Sequence, residues 1–302
     1  MTRPNGPARQ QCGPYEIPGH AHYFARSHSG IEVRCSYEKY SFALGAGIGA
    51  RDGNTGRESG TCDWWGSSGI GLASAEELIR EGAFVYITGR KKAELDAAAN
   101  RLGERCVSIQ ADISKMEDID RIYKKIAGDG KALDVLFANA GGGSFAPLGS
   151  ITEEQYEATF ATNVKGTLFT VQKSLPHLND GSSIILNASI ASVKGIPGLS
   201  VYSAAKAALR SFARVWMMDL RERRIRVNVI SPGPTDTPGF RAAAGSTPED
   251  LQRFVETQAS GVPAGRIGEA WEIARAVVFL AGKGSAFING IELFVDGGVT
   301  QN

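Results

Sequence analysis

From residue 66 onward, short apolar runs alternate with longer stretches whose apolar positions recur every three to four residues. The runs are FVYITG (84–89), CVSIQA (106–111), ALDVLFANAG (132–141), SIILNAS (183–189), IRVNVISPG (225–233) and IELFVDGG (291–298). Near-continuous apolar runs of this length predict strands buried on both faces. Between them AELDAAANRLGE (93–104), MEDIDRIYKKIAG (116–128), TEEQYEATFATNVKGTLFTVQKSLPHL (152–178) and SAAKAALRSFARVWMMDLRER (203–223) carry the helical period. Strands spaced by helices predict an α/β fold, a doubly wound parallel sheet of about seven strands with helices on both faces.

Residues 1–51 do not share this pattern. They hold three of the four histidines, two of the four cysteines and four prolines, with no sustained period of two or 3.6. The expected organisation is therefore an irregular segment over 1–55, followed by one domain over 56–302. The net charge is +1, which gives no footprint for nucleic acid or a charged membrane surface. No apolar run reaches the ~18 residues of a transmembrane helix, and the first twenty residues lack a signal-peptide core. Cysteines at 12, 35, 62 and 106 are too scattered for a disulfide framework, so a reducing cytoplasm is expected.

Candidate chemistry starts at Gly66-Ser67-Ser68-Gly69-Ile70-Gly71, a glycine-rich turn feeding a helix whose free N–H groups and dipole favour a phosphate. A structural loop explains most such turns taken alone. Arg90 lies about twenty residues further on, directly after a predicted strand, where an acidic residue would hold the ribose of NAD and an arginine suits the 2′-phosphate of NADP. Lys91 and Lys92 follow, and the first carboxylate is Glu94. NADP is the expected cofactor, with NAD as the alternative. Tyr202 and Lys206 stand four apart on a predicted helix and so share a face. An ammonium beside a phenol lowers its pKa from about 10 and turns tyrosine into a proton donor and acceptor. Ser189 precedes the tyrosine by thirteen residues.

These motifs, in this order, resemble the short-chain dehydrogenase/reductase family: GSSGIG, the ADIS around Asp112, Asn139-Ala140-Gly141, Asn163 in TNVKG, Ser189, YSAAK, PGPTDT at 232–237, GRIG at 265–268 and the closing FVDGG. The resemblance runs from about Gly66 to the C-terminus. It implies a Rossmann-type NAD(P)-binding catalytic domain that interconverts a carbonyl and a secondary alcohol by hydride transfer, and a homo-oligomer, tetramer or dimer. By resemblance, Tyr202 is the acid/base, Ser189 bonds the carbonyl oxygen, and Lys206 lowers the tyrosine pKa and holds the nicotinamide ribose. Asn163 holds a water linking Lys206 to solvent. Asp112 and Ile113 meet the adenine, and Asn139, Ala140 and Gly141 pass beside the cofactor. Thr235 and Thr237, after Pro232 and Gly233, hold its carboxamide and pyrophosphate end. Local readings compete for single residues, such as a helix cap for Asp112 and turn chemistry for Asn139. The substrate pocket is expected from Gly142 to Phe145, Ile190 to Pro197 and a lid from Pro238 to about Gly261.

GAGIGA (45–50) fits a loose phosphate-turn pattern, but RDGNTGRESG after it is a poor helix. Cys12, His20, His22, His28 and Cys35 lack zinc-site spacings. No metal is expected.

The family opens with a strand ending in Thr-Gly and a glycine turn, whereas this chain has Asp63-Trp64-Trp65 before Gly66. An indole would crowd a turn that a pyrophosphate approaches closely. Tryptophan has a single codon, TGG, so Trp64-Trp65-Gly66 read one base later must begin Gly-Gly. The same shift lets residues 55–65 encode LEGKVALVTGG, with a possible start where Asp52 stands. Residues 1 to about 65 are therefore read as out of frame, with a divergent first strand as the alternative. The second functional reading follows from it: a nucleotide-binding or interaction protein impaired in catalysis by a disrupted first strand and turn.

Overall fold

The computed structural model describes residues 59–64, by their backbone, and residues 66–301. The loose GAGIGA turn, the N-terminal cysteines and histidines, and most of the segment read as out of frame lie outside the described residues.

Seven parallel strands form the main sheet: β1 (Ser59–Trp64), β2 (Phe84–Gly89), β3 (Cys106–Gln110), β4 (Ala132–Ala138), β5 (Leu178–Asn187), β6 (Arg226–Pro232) and β9 (Glu292–Val295), in the order β3-β2-β1-β4-β5-β6-β9. A second, two-stranded ladder pairs β7 (Thr235–Asp236) with β8 (Gly268–Glu269). The helices are α1 (Gly69–Arg80), α2 (Lys92–Leu102), α3 (Met116–Gly128), α4 (Glu153–Phe160), α5 (Thr167–Ser174), α6 (Ser200–Asp219), α7 (Pro238–Ala242), α8 (Pro248–Ser260) and α9 (Ala270–Ala281).

Strand alternation divides the core between the two faces. Val85 and Ile87 of β2 pack with Leu78 of α1 and Leu95 of α2, while Tyr86 between them joins Ile119, Ile122 and Ile126 of α3. In β4, Val135 and Phe137 meet Ile273 and Val277 of α9, and Leu136 lies on the side of α3 and α6 with Leu209 and Ala213. The all-apolar runs follow from this, because both faces are covered. From β1 the chain winds out to β2 and β3, then returns to β4 on the other side. At such a switch in strand order the crevice beyond the carboxyl ends of the strands takes the ligand.

One predicted element breaks in two. The helical pattern of 152–178 becomes α4 and α5 joined by a π-helical stretch over Ala161–Gly166. Asn163 sits in that stretch, and its side-chain amide donates to the Thr159 carbonyl at 2.8 Å. A regular α-helix would give that acceptor to the backbone N–H of Asn163. Such insertions concentrate at functional sites.

Candidate functional site

A cleft of about 520 Å³ opens at the carboxyl ends of β4, β5 and β6 and the start of α1. Each strand delivers a piece of wall as it ends. Asn139 and Gly141 follow β4, Ala188 and Ser189 follow β5, and Pro232 and Gly233 end β6. Ser68, Gly69 and Ile70 bring in the first turn of α1.

That turn is built for close approach. Gly69 has φ of +55°, a left-handed conformation that glycine takes without strain, and a Cβ there would lie 3.2 Å from the Thr237 side chain. Ser68 is the N-cap of α1 but makes no side-chain cap, and no acidic residue stands in the first turn. The positive end of the helix dipole is thus left to face the cleft. Gly66 is buried in the turn and donates its N–H to the Thr88 carbonyl at 3.1 Å, and a Cβ there would lie 2.4 Å from Ile87 Cγ2. Ser67 lies against Gly89 at the end of β2, and Gly71 is buried within α1.

Tyr202, Lys206 and Ser189 line the floor, and Asn163 is buried behind it. Tyr202 and Lys206 project from one face of α6, as their spacing requires. Lys206 is buried and its Nζ donates to the Asn187 carbonyl at 2.7 Å. The same nitrogen lies 5.7 Å from the centroid of the Tyr202 ring. Ser189 stands beside the Tyr202 phenol on the same wall of the cleft. Asn163 is fully buried and donates to the Gly142 and Thr159 carbonyls, both at 2.8 Å, which leaves its buried Oδ1 without a partner. A Cβ on Gly141 would lie 2.4 Å from that Oδ1 and 2.7 Å from Lys206 Nζ, so both atoms face one small space that only a glycine leaves open. Gly143 does the same for the phenol ring, since a Cβ there would lie 2.6 Å from Tyr202 Cδ2.

The electrostatics depart from the sequence expectation. Burial raises the Tyr202 phenol above its ordinary value of 10.0, and the opposing pull comes from the Ser189 hydrogen bond, with no contribution from the lysine. Lys206 is itself lowered by burial, to about 7. The reason is geometric: desolvation penalises the charged form of each group, and the ammonium is turned to the Asn187 carbonyl.

Of the other expected residues, Thr235 and Thr237 line the cleft, the first donating to the Gly233 carbonyl at 2.9 Å and the second capping α7. Gly66, Ser67, Gly71, Arg90, Asp112, Ile113, Ala140 and Asn163 are not among its lining residues. Arg90 is exposed just past β2. Asp112 closes a turn, accepting from Ser114 N at 3.0 Å and Ser114 Oγ at 2.8 Å, while Ile113 and Ala140 are buried in the core. The helix cap considered for Asp112 belongs instead to Lys115. Sequence reasoning missed Asn187, which accepts the Lys206 ammonium and donates to Asn139 Oδ1 at 2.6 Å. Its place two residues before Ser189, at the end of a strand, was the available signal. Leu199 also lines the wall unannounced, and Phe240 enters it from the expected lid.

The described residues contain no helix long and apolar enough to cross a membrane and no cluster that could hold a metal ion. The family profile described as enoyl-(acyl carrier protein) reductase matches residues 66–300. The oxidoreductase asL5 of Sarocladium schorii is 41% identical over 238 residues, covering 78% of this chain and 93% of that protein. The hydroxynaphthalene reductase-like protein Arp2 of Metarhizium brunneum is 33% identical over 241 residues, covering 76% and 90%. Among solved structures, a blue fluorescent protein from a metagenomic library in complex with NADPH superposes with a TM-score of 0.73 at 31% identity, covering 80% of this chain and 98% of that one. Fold, motif order and these likenesses together make the chain a member of the short-chain dehydrogenase/reductase family of oxidoreductases.

Proposed function

We propose that the protein is an NADP-dependent oxidoreductase that interconverts a carbonyl and a secondary alcohol, with Tyr202 as proton donor and acceptor. The observation that carries this reading is the convergence of Tyr202, Ser189 and Lys206 on the floor of a cleft whose rim is an uncapped helix N-terminus. The residues fit a dinucleotide. The open first turn of α1 suits a pyrophosphate, Thr237 stands against it, and the glycines at 141 and 143 keep the floor clear. Arg90, past the end of β2, suits a 2′-phosphate.

When bound, NADPH supplies the hydride to the carbonyl carbon. The chain's own residues manage the oxygen. A phenol held above 10 is protonated at neutral pH, which is the form that reduction consumes. Ser189 steadies the charge developing on the same oxygen. Lys206, at about 7, gives and takes a proton at neutral pH and can return one to Tyr202. A water held between Lys206 and the orphaned Asn163 Oδ1 would carry that proton toward solvent. Alcohol oxidation runs the same residues backwards and needs the phenolate, so its rate should rise with pH.

On the substrate side the wall is apolar, with Phe145, Leu199 and Phe240 and no acidic residue among the lining. The name of the Metarhizium relative supports testing bicyclic aromatic ketones first.

Tyr202→Phe is the test. The ring still packs but carries no transferable proton, so turnover of β-tetralone with NADPH should fall by ~10²–10⁴-fold, with NADPH affinity within a few-fold. Turnover like that of the unaltered protein would remove Tyr202 from the mechanism.

A further inference from the structure

Behind Ser189, away from the cleft, lies a partly buried charge cluster to which the reading above gives no role. Ser189 opens a short 3-10 turn over Ile190–Ser192, with its Oγ accepting from Ala191 N at 3.2 Å and its carbonyl from Ser192 N at 2.8 Å. Ser192 is then gripped from both sides. Its hydroxyl donates to Glu292 Oε1 at 2.6 Å, and its carbonyl accepts from Arg210 Nη1 at 3.2 Å. Arg210 and Glu292 are themselves an ion pair. Ser231, fully buried near the end of β6, donates to the same Glu292 oxygen at 2.7 Å.

Each member comes from a different element. Glu292 belongs to β9 and Ser231 to β6, neighbouring strands of the sheet. Arg210 lies on α6 eight residues beyond Tyr202, so Tyr202, Lys206 and Arg210 form one stripe along the helix. The Glu292 side chain is only 11% exposed, and neither it nor Arg210 lines the cleft. A partly buried ion pair such as this one, with Arg210 30% exposed, is weak evidence for stability. What this one supplies is a set of directional bonds between the turn that begins at Ser189 and the helix that carries Tyr202. These are the two pieces whose relative placement sets how the Ser189 hydroxyl and the Tyr202 phenol face the same cleft.

We propose that Glu292, together with Arg210, is a positioning residue for the reaction: it holds the Ser189 turn against α6 so that the Ser189 hydroxyl and the Tyr202 phenol meet at the carbonyl oxygen. The proposal rests on Ser189 acting at that oxygen. It requires Glu292 to act only through Ser189 and not through cofactor binding or bulk stability.

The test is a double-mutant cycle with β-tetralone and NADPH. Glu292→Gln keeps an acceptor for the two serines but removes the charge that holds Arg210. Ser192→Ala removes the turn's hydroxyl bond to Glu292 with little change in volume and keeps the carbonyl that accepts from Arg210. Each should lower kcat about ten-fold, the scale expected of a small misplacement at a reacting centre. The NADPH dissociation constant should stay within two-fold and the melting temperature within a few degrees. Glu292→Asp should regain part of the rate. In a Ser189→Ala background, whose residual rate is read at high enzyme concentration, Glu292→Gln and Ser192→Ala should cost nothing further. If their losses multiply with that of Ser189→Ala, or if NADPH affinity falls in step with kcat, the positioning role is wrong and the cluster is structural. If Ser189→Ala itself turns over at the full rate, the reading of the site fails instead, so the two failures are distinct.

Discussion

The burial of Lys206 carries a cost. The side chain has a pKa of about 7, against 10.5 for an ordinary lysine. In the unfolded chain it stays charged up to about pH 10.5, while in the folded one it loses its proton above about 7. The unfolded state therefore binds more protons between those values, and stability contributed by this site rises with pH across that window. The penalty is largest below about pH 7. Lys206→Met should abolish turnover yet raise the melting temperature, more at pH 6 than at pH 9, by a margin on the order of 2 kcal/mol. Thermal melts at the two values check this, and a gain independent of pH would show that the lysine is not desolvated as described. At Arg90 the expectation concerns the cofactor. NADPH should be preferred over NADH, and Arg90→Asp should reverse the preference, because a carboxylate repels a phosphate dianion and accepts from a ribose hydroxyl. The ratio of kcat/KM for the two cofactors measures it, and an unchanged ratio would show that Arg90 does not read the 2′-position.

At the scale of elements, legibility follows how local the cause is. FVYITG and MEDIDRIYKKIAG coincide with β2 and α3 because their burial pattern is written in consecutive residues. β5 begins at Leu178, five residues before the apolar run, since the polar Asn179–Ser182 stretch sits where its register against β4 slips between Leu133 and Val135. The π-helical break at Asn163 depends on one side chain competing for one carbonyl, and the β7–β8 ladder on a contact across more than thirty residues. β1 is the sharpest case. Residues 59–64 show no strand pattern, yet they pair with β2 on one side and β4 on the other, because two parallel neighbours offer backbone partners whatever the side chains are. Position 63 pairs with Ile87 on one side and Phe137 on the other, and the family's first strand, ending in Thr-Gly, is uncharged there. The out-of-frame account therefore predicts that a chain starting at position 52, carrying LEGKVALVTGG over 55–65 and lacking Gly66, melts higher and binds NADPH more tightly than the 302-residue chain. Equal melting temperature and equal affinity would remove the functional weight of that account, as would any codon across 50–68 that is incompatible with the shifted frame.

For the whole molecule, the site was legible to the extent that its residues lie in ordered motifs. Tyr202, Lys206, Ser189 and the turn from Ser68 to Ile70 converge on one cleft. Asn187, whose carbonyl accepts from Lys206, was signalled only by its place at the end of a strand, and Glu292 by nothing, since its partner Ser192 lies 100 residues away in sequence. What the fold leaves between is a choice between an enzyme and a binding protein of the same shape. One measurement decides it: NADPH fluorescence titrated into the 302-residue chain, followed on the same sample by addition of a panel of bicyclic ketones, small ketones, sugars, steroids and acyl thioesters. The account predicts saturable NADPH binding and oxidation of the bound cofactor by at least one uncharged ketone, with the oxidation lost and the binding kept in Tyr202→Phe. NADPH binding without turnover of any member of the panel, or oxidation unchanged in Tyr202→Phe, would contradict it.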